Sequence, residues 1–280
     1  MSEHARVLDL IQAVDLDGRE PAQVGAWLAE RRAEVVAAVL ACDRDGGRAL
    51  GTRLAAAVWP AAALVRDPGW WTELAQAGEA LAIADRDPAA LADLLHLGAS
   101  VFAGDGDRVV AEERWVRALA ITRRERLPGQ DRVLCALGSL YRDWGRLSKA
   151  LDAYLALVEL RRDTGDTAGT AAALAEVGLT MHAAGRVRSA MEYFDQADDV
   201  MGRAGAAAAE HARVLVWSGR TRWEQGHHAA ARHRWSRALA MLVDGDETEA
   251  NRVRALLATE PEAEPDYLSN TSSSPSGGVG

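Results

Sequence analysis

The sequence predicts an all-α protein, a right-handed solenoid of antiparallel helix pairs, from three observations. Hydrophobic residues fill 49% of the 280 positions but aromatic ones only 5%, and Ala, Leu, Arg and Glu, all helix formers, are abundant. A glycine-centred pattern returns about every 40 residues. Between its copies stand the turn signals that close one helix pair and open the next.

The register is carried by Leu97-Gly98, Leu137-Gly138, Val177-Gly178 and Ser218-Gly219, at intervals of 40, 40 and 41 residues. Apolar residues around them follow helical spacing, as at Leu134, Leu137, Gly138 and Tyr141. A turn glycine follows each copy, at Gly104/Gly106, Gly145, Gly185 and Gly226, and then an aromatic, Trp115, Tyr154, Phe194 or Trp235. Glycine inside the first helix lets the second come close, and glycine at the turn supplies the positive φ that reverses the chain. The aromatic is expected to fill the space between one pair and the next. Ala118, Ala197 and Ala238 hold a small position three residues further on, with Leu157 in the second copy.

The turn signals Asp87-Pro88, Leu127-Pro128-Gly129, Gly165-Asp166, Ala204-Gly205 and Asp244-Gly245-Asp246 bound four pairs, at 88–126, 128–164, 167–203 and 207–244. Asp87-Pro88 reads as an N-cap followed by proline at the first helical position. Upstream, Gly69 and Ala80-Leu81-Ala82-Ile83 lie 38 residues before Asp107 and Ala118-Leu119-Ala120-Ile121, which predicts one more pair, with helices near 46–64 and 70–85. The organisation that follows is an N-terminal helical cap at 1–45, a solenoid of about five pairs at 46–245, a capping helix at 246–259 and a disordered tail at 260–280. The tail is acidic, then rich in Ser, Gly and Pro, and too poor in apolar residues to order itself.

Leu137-Gly138-x-x-Tyr141, Gly145, Ala150 and Tyr154 resemble the tetratricopeptide repeat consensus, and Val177-Gly178, Gly185, Ala190 and Phe194 repeat it. The fourth copy departs at Arg222, with Trp223 beside it, and the first at Asp105 and Val110. The period exceeds the roughly 34 residues usual for that family, so longer helices are expected. The stretches Ala26–Val39 and Arg53–Pro60 resemble the opening of the repeat region of bacterial STAND (NB-ARC) and SARP-type transcriptional regulators, where such a region is a sensor arm. That resemblance spans residues 20–245. No ATPase module is read in these residues, so ATP switching is not carried over.

Several function classes recede on composition. A net charge of −9 and a pI near 5.3 oppose the phosphate neutralisation that direct nucleic-acid binding needs. Cys42 and Cys135 lack paired spacing and read as buried small residues rather than a disulfide or zinc ligands. Lys149 is the sole lysine and has no glycine beside it, so no phosphate loop forms. Apolar runs are too short to span a membrane, and the N-terminus has no signal pattern, so a cytoplasmic protein is expected. His227, His228 and His233 sit on different helical faces and form no metal set. Glu112-Glu113 and Asp198-Asp199 read as solvated surface, Gly104-Asp105-Gly106-Asp107 as a turn rather than a calcium loop, and Trp70-Trp71 as an anchor for the N-terminal helices. No catalytic constellation, no metal and no cofactor are predicted.

A stack of helix pairs offers an inner surface made mainly of first helices. Family-like groove positions are Leu95, His96, Ala99 and Phe102; Arg132, Ser139, Arg142 and Asp143; Glu176, Leu179 and His182; and Arg213, Val216, Trp217, Arg220 and Trp223. The candidate partner-binding set is Arg132, Arg142, Glu176, His182, Arg213, Trp217, Arg220 and Trp223. Arg213, Trp217 and Arg220 share one helical face, where guanidinium forks suit a carboxylate and the indole supplies contact area. The predicted function is a protein-interaction scaffold or regulatory adaptor with a protein or peptide partner of acidic character. The alternatives are a sensor of a small ligand or signalling peptide in a transcription-regulatory system, an accessory protein of a biosynthetic pathway, and self-association as a homodimer through the solenoid ends.

Overall fold

The computed structural model describes residues 3–14, 20–44, 47–205, 207–242 and 247–259, with fourteen helices and no strand among them. It divides into two compact units, Met1–Ala204 and Gly205–Gly280. This division falls inside the 46–245 span that the sequence reading treats as one solenoid. The segments 243–246 and 260–280, which hold the last turn signal and the tail, lie outside the described residues.

In the first unit, α1 (Glu3–Val14), α2 (Pro21–Glu30) and α3 (Arg32–Arg44) pack around α4 (Arg48–Ala62), which also meets α5 (Pro68–Ala84) and α6 (Pro88–Asp105). Helix α6 pairs with α7 (Arg108–Glu125), α8 (Gln130–Asp143) with α9 (Leu147–Asp163), and α10 (Thr167–Ala183) with α11 (Val187–Ala204). The pairs stack in sequence, α7 on α8 and α9 on α10. The second unit pairs α12 (Ala208–Glu224) with α13 (His228–Leu242) and closes with α14 (Glu247–Ala258) against α13. The pairs begin and end within two residues of the sequence-predicted spans, except for the end of the last pair at 244, which lies outside the described residues. No described helix is long and apolar enough to cross a membrane.

The starts and stops have local causes. Asp67, Asp87, Asp107 and Asp166 each accept a hydrogen bond from the backbone N–H three residues on, at 2.8–3.1 Å, and so cap α5, α6, α7 and α10. The joins between pairs turn through a left-handed residue at one register: Arg86 and Arg126 at φ 56°, then Gly165 at 72° and Gly205 at 65°. Arginine pays a steric penalty there that glycine escapes.

Within three of the pairs the glycine of the first helix lies against the aromatic sixteen residues on. A Cβ added to Gly138 would sit 2.6 Å from the Tyr154 ring, one added to Gly178 would sit 2.9 Å from Phe194, and one added to Gly219 would overlap Trp235. Tyr154, Phe194 and Trp235 are almost fully buried. The aromatic thus packs inside its own pair, which corrects the expectation that it fills the space between pairs. The first copy differs because its aromatic lies seventeen residues from Gly98. There Trp115 turns to donate from Nε1 to His96 Nδ1 at 3.1 Å, and Gly98 faces Trp59 of α4 instead.

Gly178→Ala is expected to lower stability by about 1–3 kcal/mol, because the new methyl group meets a ring that has nowhere to go. Gly202→Ala, in α11 with nothing within 4 Å, should add about 0.4–1 kcal/mol by stiffening the unfolded chain. Urea unfolding followed by far-UV circular dichroism checks both, and equal shifts would contradict the contact.

Candidate functional site

Arg132, Arg142 and Glu176 of the predicted groove tie one helix pair to the next. Arg132 of α8 pairs with Asp93 of α6 at 3.0 Å, and Arg142 of α8 pairs with Glu176 of α10 while its guanidinium lies over the Tyr154 ring. His182, half-buried on α10, is also engaged. Second helices are joined likewise. Glu79 of α5 accepts from Arg114 at 2.5 Å and meets Arg117 at 3.4 Å. Glu112 of α7 accepts from Tyr141 at 2.9 Å, Arg146 at 2.8 Å and Lys149 at 2.7 Å.

These partners set the ionisation. Burial would raise the Glu112 carboxyl, but hydrogen bonds from Lys149 and Tyr141 and the charges of Lys149 and Arg146 hold it below its ordinary value. Burial and the bond to Glu112 push the Tyr141 phenol up to about 12. Burial also raises Tyr154 and lowers His96, whose Nδ1 is occupied by the Trp115 N–H.

Leu95, Ala99 and Phe102 are core residues rather than groove residues, because their helix faces turn toward a neighbouring helix. Glu112 and Asp198 are engaged in contacts rather than solvated, whereas Glu113 and Asp199 are exposed. Cys42 is buried, but Cys135 lies at the surface, where local desolvation and the Glu176 charge still raise its thiol. Trp70 and Trp71 do anchor: their Nε1 atoms donate to the Arg32 and Ala62 carbonyls, and Trp71 meets Phe102 edge-on at 5.7 Å. No described group of three His, Cys, Asp or Glu side chains is placed to hold a metal.

The second unit gathers part of the predicted set into a cleft. One face of α12 buries Ala212 and Leu215 in a core with Ala231, Trp235, Ala238 and Val253. The adjoining face presents Arg213, Trp217 and Arg220 to a cleft of about 560 Å³ whose far side is Glu249 and Arg252 of α14. Glu210 stands at one edge and Val216 at the base. The Arg220 guanidinium lies 5.3 Å from the Trp217 ring centre, and Arg252 reaches Glu249 at 2.9 Å. Arg213 makes no ion pair among the described residues. Three guanidinium groups therefore face two carboxylates around one half-buried indole, an arrangement able to hold an anionic group against apolar surface.

Trp223 does not join this cleft. Six residues beyond Trp217, it turns onto α13, where it meets His228 at 4.3 Å and Trp235 at 5.4 Å, with Arg232 over its ring. Arg222 bonds back to Ser218 Oγ at 2.5 Å. Arg252 was missed by sequence reasoning because it stands on the last helix, outside the repeat register. The only signal for it was that α14 must cover the end of the pair.

Residues 131–164, which span α8 and α9, match the tetratricopeptide repeat family. No curated protein sequence matches the chain. Among solved structures, aspartyl phosphate phosphatase F from Bacillus subtilis is similar at a TM-score of 0.62 and 12% identity, covering 79% of this chain and 60% of that one. BtubC (BKLC) from P. vanneervenii is similar at 0.56 and 19%, covering 67% and 78%. The nearly identical TPR-like repeats of a Podosopora anserina putative kinesin light chain are similar at 0.53 and 14%, covering 82% and 100%. At these identities the likeness speaks for the fold alone.

Because the Glu112 carboxyl is held low, its contribution to stability is present above the ordinary value of 4.5 and is lost as pH falls through the folded value. Glu112→Gln should therefore cost about 1–2 kcal/mol at neutral pH. The gap in melting temperature between variant and parent should close below pH 4.5. A gap that persists unchanged into acid would show that the charge is not what matters.

Proposed function

Starting from a chain whose α8–α9 pair is a tetratricopeptide repeat and whose other pairs keep the same register, we propose that it is a partner-binding scaffold whose α12/α14 cleft takes a protein segment rich in carboxylates. The observation that carries this reading is the convergence of Arg213, Arg220 and Arg252 around Trp217. In a protein of net charge −9, a local excess of guanidinium steers an acidic segment to one place and repels it elsewhere. The indole adds apolar contact area, and Val216 gives the cleft an apolar base.

The charged groups of the first unit support the same division of labour. Arg132, Arg142 and Glu176 are engaged in joining helix pairs, so using them for a partner would loosen the stack. The activity in the name of the Bacillus subtilis phosphatase is not transferred to this chain, which spans about 60% of that protein and shares its fold. The reading is one of binding rather than turnover, with no cofactor.

The test is fluorescence anisotropy with a labelled library of acidic peptides, read at low and high salt. Binders should be found, and they should weaken as salt screens the guanidinium groups. Arg213→Glu together with Arg220→Glu should reduce binding at least tenfold while helicity and melting stay unchanged. Arg203→Glu, an exposed change on α11, should leave binding alone. Equal binding by the double variant removes the cleft from consideration. Dimers in light scattering with no peptide bound would favour self-association instead.

A further inference from the structure

Helix α4 ends in Trp59-Pro60-Ala61-Ala62 and the chain turns into α5 a few residues later. Between that end, Trp71 of α5 and Leu97 and Val101 of α6 lies a cleft of about 410 Å³, within the range of small-molecule sites. Its walls are apolar and rigid. Trp59 and Trp71 are almost fully buried, and Phe102 pins both, tilted against Trp59 at 6.4 Å and edge-on to Trp71 at 5.7 Å. Pro60, set inside the helix, adds a fixed ring to the same wall. At the rim, Arg66 is largely exposed and stands 3.8 Å from the Asp105 carboxylate, so its guanidinium is free to swing to another anion.

One polar atom of this wall lacks a partner. The other buried tryptophans each donate from Nε1: Trp70 to the Arg32 carbonyl, Trp71 to the Ala62 carbonyl, Trp115 to His96 and Trp235 to the Val216 carbonyl. Trp59 Nε1 is equally buried and meets no acceptor among the described residues. Buried donors are nearly always satisfied, and an exception beside a cavity points to a group supplied from outside the chain.

We propose that this cleft is a small-molecule site for a planar, largely apolar ring system that carries a hydrogen-bond acceptor. The rings lie between the indoles and Pro60, the acceptor takes the Trp59 N–H, and an anionic substituent meets Arg66. The site lies in the first compact unit, goes beyond the acidic-peptide reading and does not depend on it.

The experiment titrates the full chain with 2-naphthoate and with cyclohexanecarboxylate by calorimetry, alongside melting curves. Saturable binding of one 2-naphthoate per chain with a raised melting temperature is expected, and the saturated, non-planar acid should bind at least tenfold more weakly. Trp59→Phe, which keeps a ring but loses the N–H, should weaken naphthoate about tenfold. Ala63→Trp, at an exposed position on the cleft wall, should block it with helicity intact, and carries the test alone if the Trp59 variant unfolds. The Arg213→Glu, Arg220→Glu protein should bind naphthoate as the parent does, which separates this outcome from failure of the peptide reading. No saturable binding at millimolar naphthoate, or undiminished binding by Ala63→Trp, overturns the proposal.

Discussion

A bare Cα pressed against an aromatic face sets the spacing within the helix pairs. Gly138 against Tyr154, Gly178 against Phe194 and Gly219 against Trp235 let two backbones approach more closely than side chains on both would allow, and the ring covers the gap this opens. Each of these contacts joins residues of one hairpin, and α9 packs against α10 of the next pair as closely as against its own partner α8. What stacking adds is burial of the outer faces of both helices. The first copy shows what one residue changes: at a separation of seventeen the ring no longer meets its glycine, and α4 contributes Trp59 in its place.

Charge serves two separate purposes. Along the first unit it is paired across joins, acid on one helix pair and a cation on the next, as in Glu79 with Arg114 and Glu112 with Arg146 and Lys149. Where such a pair is partly buried, as Glu79 with Arg114, removing one member is costly because it leaves the other charge without its partner. In the second unit, among the described residues, Arg213, Arg220 and Arg252 line one cleft together with Glu210 and Glu249, the last paired with Arg252.

The sequence made the fold legible because each rule acted locally. Asp87 before Pro88 reads as a cap from two residues alone, and the glycine–aromatic spacing survives in a single chain without any alignment. The left-handed turns at Arg86 and Arg126 were invisible, since arginine carries no turn signal and only the forty-residue register puts it where Gly165 stands later. The site was harder to read. The spacing of Arg213, Trp217 and Arg220 places them on one face, but nothing in a helical wheel says whether an arginine will find a carboxylate on the next pair, as Arg142 does, or make no ion pair among the described residues, as with Arg213. Trp223 went astray for the same reason: its face depends on where α13 lies.

The use of arginine almost everywhere leaves this molecule with one side-chain primary amine, and Lys149 holds it in contact with Glu112 at the join of two helix pairs. Acylation there would strip the ammonium of its charge and add bulk at a seam. Chemistry aimed at lysine, whether an enzyme's or a labelling reagent's, therefore meets a single address on the side chains, and that address reports on how tightly neighbouring hairpins hold together.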